Sequence, residues 1–201
     1  MKFIKKIVFL LFVVVLGIVL FNFYTAKKNN ANKKQEKDCI SNYGYHLYSN
    51  STKNYESLFF ELKKVLSSDL IDEEKYVSII SKMFIIDFYT LNNKISNFDI
   101  GGVDFLHDSI AENFKLKAKE TIYKYVKNDI YGRRNQQLPE VNEVIISDII
   151  TKPLNNGDYK DNNAYYVTVN WTYQKDLGYD TSKSMIFIHD GNKLSLISIT
   201  D

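Results

Sequence analysis

The chain has 201 residues, with 26 Lys+Arg against 24 Asp+Glu, 45% apolar residues, two Pro and one Cys. These proportions exclude a disordered chain, a Gly/Pro-rich polymer and a disulfide scaffold. The formal charge of +2 hides an asymmetry, because residues 1 to 39 hold eight Lys and two acids, leaving 18 basic and 22 acidic residues from 40 to 201. A mildly acidic body argues against a nucleic-acid reader, which carries a basic face to displace phosphate counterions. Arg133-Arg134 is set aside as the exception.

Ile7 to Tyr24 reads IVFLLFVVVLGIVLFNFY, eighteen residues without a charge. As a helix it is about 27 Å long, enough for the hydrocarbon core of a bilayer. Lys5 and Lys6 can snorkel at one end while Phe23 and Tyr24 sit at the other interface. The competing reading is a cleaved signal peptide, since three Lys precede the apolar run. Tyr24-Thr25-Ala26 offers a bulky ring where cleavage needs a small residue, so residues 1–26 are read as an uncleaved anchor with ends at Ile7 and Tyr24. The flanking Lys count favours a cytoplasmic body, but large domains translocate regardless of charge, and a basic stretch before an apolar run is the usual export signal. The body is therefore placed outside the membrane. Residues 27–38 (KKNNANKKQEKD) contain no large apolar residue and are read as a tether. Residues 39–201 have the size of one domain.

Within that domain the first half has helical spacing. Tyr55 to Leu66 places Leu58, Phe59, Leu62, Val65 and Leu66 on one stripe. Asp72-Glu73-Glu74 reads as an N-cap with acids in the first turn, followed by Tyr76, Ile79, Ile80, Met83, Phe84, Phe88 and Leu91. Ser109-Ile110-Ala111-Glu112 matches a capping box, and Ile110 to Val126 marks a third helix expected to end near Gly132. The second half changes to period two. Pro139 opens a segment with Val141, Val144, Ile145, Ile146, Ile149 and Ile150, and Asn155 to Asn163 reads as a loop. Ala164 to Gln174 alternates strictly, and Ser184–His189 and Lys193–Thr200 are strands joined across Asp190-Gly191, a hairpin dipeptide. Helices followed by consecutive antiparallel strands give an α+β domain of about three helices packed on a curved sheet of about four strands.

That order of elements, together with the stretch YVSIISKMFIIDFYTL, resembles the cone-shaped nuclear transport factor 2-like superfamily over roughly Tyr55 to Thr200. Its single-span members are similar to scaffold subunits of conjugation and type IV secretion machinery, and the Lys/Asn/Ile-rich composition is similar to that of low-GC Gram-positive membrane proteins. The resemblance implies a membrane-tethered domain with a pocket inside the cone.

No phosphate-binding loop, H-E-x-x-H or G-x-S-x-G motif is present, and His46, His107 and His189 are dispersed without a ligand partner at helical spacing. No cofactor or metal site is expected. His107-Asp108, before a helix, reads as a turn and cap. Asp87 lies among Phe84 and Phe88; turned into a pocket it could act as an acid or base, and turned away it would find solvent or a polar partner. Trp171 and Tyr173 share the apolar strand face and could line a cavity or pack the core. Cys39 is alone, so no intrachain disulfide forms. Together these features lead to a tethered, non-catalytic interaction module, with the bilayer, envelope proteins or a second copy as partners. A small apolar ligand-binding domain is the alternative, followed by an isomerase or dehydratase using Asp87.

Overall fold

Thr52 stops the chain from extending and starts a helix: its Oγ1 accepts from the Tyr55 amide at 3.2 Å, and α1 runs from Lys53 to Leu66. Tyr55, Phe59, Leu62 and Val65 form its buried stripe. Asp72 repeats the device for α2 (Glu73–Tyr89), accepting from the Lys75 amide at 2.9 Å. Eleven of the seventeen residues of α2 are buried. Such a helix keeps only a narrow strip, Lys75, Ser78 and Lys82, toward water and lies between two layers; α1 packs on one side and the sheet on the other. The computed structural model describes residues 14–19 and 34–201. Of the expected span, only residues 14–19 are described; they are helical and exposed, and its ends Ile7 and Tyr24 lie outside the described residues. Among the described residues no helix is long and apolar enough to cross a membrane.

The domain is α+β, as expected, with four antiparallel strands in the order β3 (Val141–Asn156), β4 (Tyr159–Tyr173), β5 (Ser182–Asp190) and β6 (Lys193–Thr200). Val141, Val144, Ile146 and Ile149 of β3 pair with Tyr173, Trp171, Val169 and Val167 of β4 and turn the same way, toward the helices. Register shifts at Ser147 and Pro153 bend β3. The stretch read as a loop, Asn155 to Asn163, is instead mostly strand: Leu154↔Asp161 and Asn156↔Tyr159 continue the ladder to a tight turn at Gly157. The extended hairpin places Tyr159 against the start of the third helix, α3 (Asp108–Glu120), where its hydroxyl meets Ser109 Oγ at 2.5 Å.

Two further features depart from the expected layout. An N-terminal hairpin, β1 (Glu36–Ile40) and β2 (Tyr45–Tyr48), takes in the last residues of the expected tether, pairing Glu36 with Tyr48 and Asp38 with Leu47. Tyr45 and Leu47 carry it into the core. The third helix, α3 (Asp108–Glu120), stops a dozen residues short of Gly132. Tyr123 is the reason: it is fully buried, its hydroxyl donating to the Phe88 carbonyl at 2.6 Å and accepting from the Gly101 amide at 3.1 Å, so the chain turns inward after Thr121. At the other end His107, not Ser109, is the N-cap, its Nδ1 accepting from the Ser109 amide. Leu106 bridges to Leu196, and the His107 amide donates to the Leu196 carbonyl, fastening this helix to β6.

Candidate functional site

The helical period carries Asp87 off the core stripe of α2, leaving its side chain 26% exposed in the last turn of the helix, next to the 91–102 loop. That loop returns two groups to it. Lys94, almost fully buried, places its ammonium 2.6 Å from Oδ1, and the Gly102 amide donates to Oδ2 at 2.7 Å. A lysine surrenders its hydration only for a paired, hydrogen-bonded charge. Gly101 is required by the packing: a Cβ there would run into the Asp87 carbonyl and lie 2.8 Å from the Lys94 ammonium. Gly102 has φ +75°, and its added Cβ would strike the Phe84 ring.

A second layer of charge surrounds this pair. Lys34 bonds Asp99 Oδ1 at 3.2 Å and lies over the Tyr48 ring, while Asp99 Oδ2 accepts from the Ile95 amide. Asp104 Oδ2 accepts from the His46 amide and lies 3.0 Å from His46 Nδ1. Burial pushes the Asp87 carboxyl up, but the charges of Lys94 and Lys34 outweigh it and hold the group below its ordinary range. Burial wins at Asp104, whose carboxyl is raised although His46 opposes the shift. Asp87 is thus an ionised carboxylate with a partner on each oxygen. That chemistry fastens a loop; it does not poise a proton near neutral pH.

The other two residues proposed for a ligand pocket lie elsewhere. Trp171 is buried with its ring centroid 4.6 Å from that of Tyr89, and Tyr173 donates to the Asp180 carbonyl at 2.9 Å. Neither they nor Asp87 line the open cleft of about 400 Å³ between α3 and β6. Its walls are Phe88, Ile110, Phe114, Ala118, Ile197 and Ile199, with Asn113, Lys117 and Thr121 among its polar lining.

Each histidine joins separate segments through a carboxylate. His46 connects β2 to Asp104, and His107 lies 4.0 Å from Asp190. His189 is held most tightly: Nδ1 lies 2.8 Å from Asp161 and Nε2 lies 3.3 Å from Glu73, which also accepts from the Tyr165 hydroxyl at 2.8 Å. Burial lowers the His189 pKa, but the bonds to Asp161 and Glu73 prevail and raise it. Among the described residues no group of His, Cys, Asp and Glu is placed to hold a metal ion. Cys39 is a free thiol beside Ser41.

Sequence reasoning found Asp87 but missed Lys94 and Lys34, whose pairings depend on long-range loop placement. It also passed over the basic segment 115–134, visible as seven Lys or Arg against two acids when charges are counted locally. No family model, curated protein or solved structure matches the chain.

Proposed function

We propose that the chain is a non-catalytic interaction module held outside the membrane by the apolar run Ile7–Tyr24. The observation that supports it is the state of Asp87: this acid, set among aromatic residues of α2, is ion-paired and hydrogen-bonded into the loop beneath it. The buried Tyr123 hydroxyl is likewise engaged as donor and acceptor. The test is alkaline extraction of membranes containing the full chain, followed by crosslinking in whole cells. Retention in the bilayer with discrete crosslinked species is expected; a released product beginning near residue 27, or a chain that crosslinks to nothing, overturns the reading.

The cleft between α3 and β6 supports a second reading, a site for a small apolar ligand. Its floor is aromatic and aliphatic and its rim carries Asn113 and Lys117, the usual composition of a ligand cleft. A melting temperature of the full chain that fails to rise with any apolar compound would remove it.

A further inference from the structure

The segment that follows α3 is chemically unlike the rest of the body. From residue 115 to 134 there are seven Lys or Arg and two acids, whereas residues 40 to 201 as a whole carry more acid than base. The same stretch exposes large apolar side chains that a soluble domain normally covers: Leu116 is 62% exposed, Tyr125 74% and Tyr131 63%. Phe98, 71% exposed, belongs to this surface, because the Lys119 ammonium sits 4.0 Å above its ring. The surface is rigidly mounted. Arg134 donates to the carbonyls of Asn92 and Lys94, and the Asp129 amide donates to the Ile95 carbonyl, so the segment is bolted to the loop that leaves α2.

The chain enters the body at this same place. Lys34, the first described residue of the body, is bonded to Asp99, the neighbour of Phe98. About ten residues separate it from Tyr24, a reach of at most ~35 Å. The C-terminal end of α2, with the basic aromatic surface around it, is therefore the end leashed to the membrane. Leu70, before the N-terminus of α2, is about 25 Å away, the length of a seventeen-residue helix.

From the charge, the exposed rings and the point of attachment, we infer that the surface formed by Phe98 and residues 115–134 docks on anionic lipid headgroups of the bilayer that holds the chain. Lysines meet phosphates while Leu116, Tyr125 and Tyr131 reach the interfacial layer, where aromatic side chains are at home. This rests on the anchor proposed above and adds an orientation to it: the body lies against the membrane by one end instead of swinging on its tether.

The test uses the full chain, one copy per nanodisc, with Cys39→Ser and a single reporter cysteine carrying an environment-sensitive dye. At Leu116→Cys the dye is expected to be ~2-fold brighter in discs containing phosphatidylglycerol than in discs of phosphatidylcholine alone, to be quenched by lipid-borne spin labels, and to lose both effects in high salt. At Leu70→Cys it should stay dim and unquenched in both. Lys124→Glu/Lys127→Glu/Arg133→Glu, all at exposed positions, should abolish the response at position 116 and leave the chain in the disc. A response that ignores lipid charge, that appears equally at Leu70, or that survives the triple substitution overturns the inference. A chain that leaves the disc altogether overturns the anchor instead, which separates the two failures.

Discussion

Replacing Lys94 by Met removes the ammonium from the Asp87 pair while keeping most of the aliphatic stem that fills the same space. Breaking a fully buried ion pair costs about 3–5 kcal/mol because one charge is left without compensation. Here Lys94 is 2% exposed, but Asp87 keeps the Gly102 amide, has Lys34 nearby and has some access to water. The expected loss is therefore lower, about 2–3 kcal/mol, or roughly 5–10 °C in Tm for a domain of this size. Urea denaturation of the full chain in mild detergent, followed by the fluorescence of buried Trp171, measures it. The pH dependence supplies an independent check. Asp87 is held below its ordinary pKa, so it contributes stability above the unfolded value of about 3.9 and loses it as pH falls through the folded value. Without Lys94, burial faces less opposition and the carboxyl titrates at higher pH, so acid relieves the variant while it weakens the parent. The stability gap should be widest near neutral pH and should narrow in acid. A loss below about 0.5 kcal/mol, the size of an ordinary surface substitution, or a gap that does not change with pH, would refute the view of this pair as a loop fastening.

Gly101→Ala should destabilise at least as strongly, by about 2 kcal/mol or more, because the added methyl meets the Asp87 carbonyl, which is backbone and cannot rotate away; a Tm within a degree or two of the parent would contradict the packing. Tyr76→Phe deprives the Leu194 amide of its acceptor and the buried Tyr45 hydroxyl of its partner at 2.6 Å. The cost in urea should be about 1–2 kcal/mol, the price of a stranded buried donor. His189 has a raised folded pKa, so its contribution is complete below the unfolded value of about 6.5 and is lost as pH rises through the folded value. Hydrogen exchange at Tyr159 to Asn163 should therefore quicken across that interval beyond the ordinary base-catalysed increase, and His189→Gln should remove the excess. An equal excess in the variant would rule out His189 as the link.

What could be read in the sequence was whatever repeats with a fixed period. The apolar stripe of α1, the extensive burial of α2 and the alternation of Tyr165, Val167, Val169 and Trp171 are local patterns, and each marks an element that the structure contains. Where a distant contact decided the outcome, the local signal misled. The apolar residues from Ile110 to Val126 continue the helical period, yet Tyr123 finds Phe88 and Gly101 across the fold and ends α3 early. Asn, Asp and Gly around residue 157 suggested a long loop, but only Gly157 and its neighbour are needed for the turn, and the rest joins the ladder. The candidate site followed the same division. Asp87 was conspicuous as an acid among aromatics, while its meaning depended on Lys94, whose burial no local composition announces. Trp171 and Tyr173 do alternate onto one face, but that face is filled by Tyr89 and its neighbours.

Charge is arranged along α2 in a way that bears on how the body would sit. At its N-terminal end Asp72, Glu73 and Glu74 lie in or before the first turn, with Asp161 brought close through His189 and Glu73. Beyond its C-terminal end lies the basic segment 115–134, held to the loop after α2 by Arg134. Near an anionic bilayer such a body experiences a torque as well as an attraction, since one end is drawn toward the surface and the other repelled. The effect extends only over a Debye length, about 8 Å at physiological ionic strength. A body on a short leash spends much of its time within that range, whereas a freely diffusing one does not. On the anchored reading proposed above, tether and charge segregation would act together: the first would supply proximity, and the second would turn proximity into orientation. On this reasoning, lengthening the 27–33 segment by a long flexible insert should weaken the lipid-dependent signal at position 116 without changing the fold, since each added residue enlarges the volume the basic end explores. An undiminished signal would mean that the docked surface holds by itself and that the short leash is incidental to it.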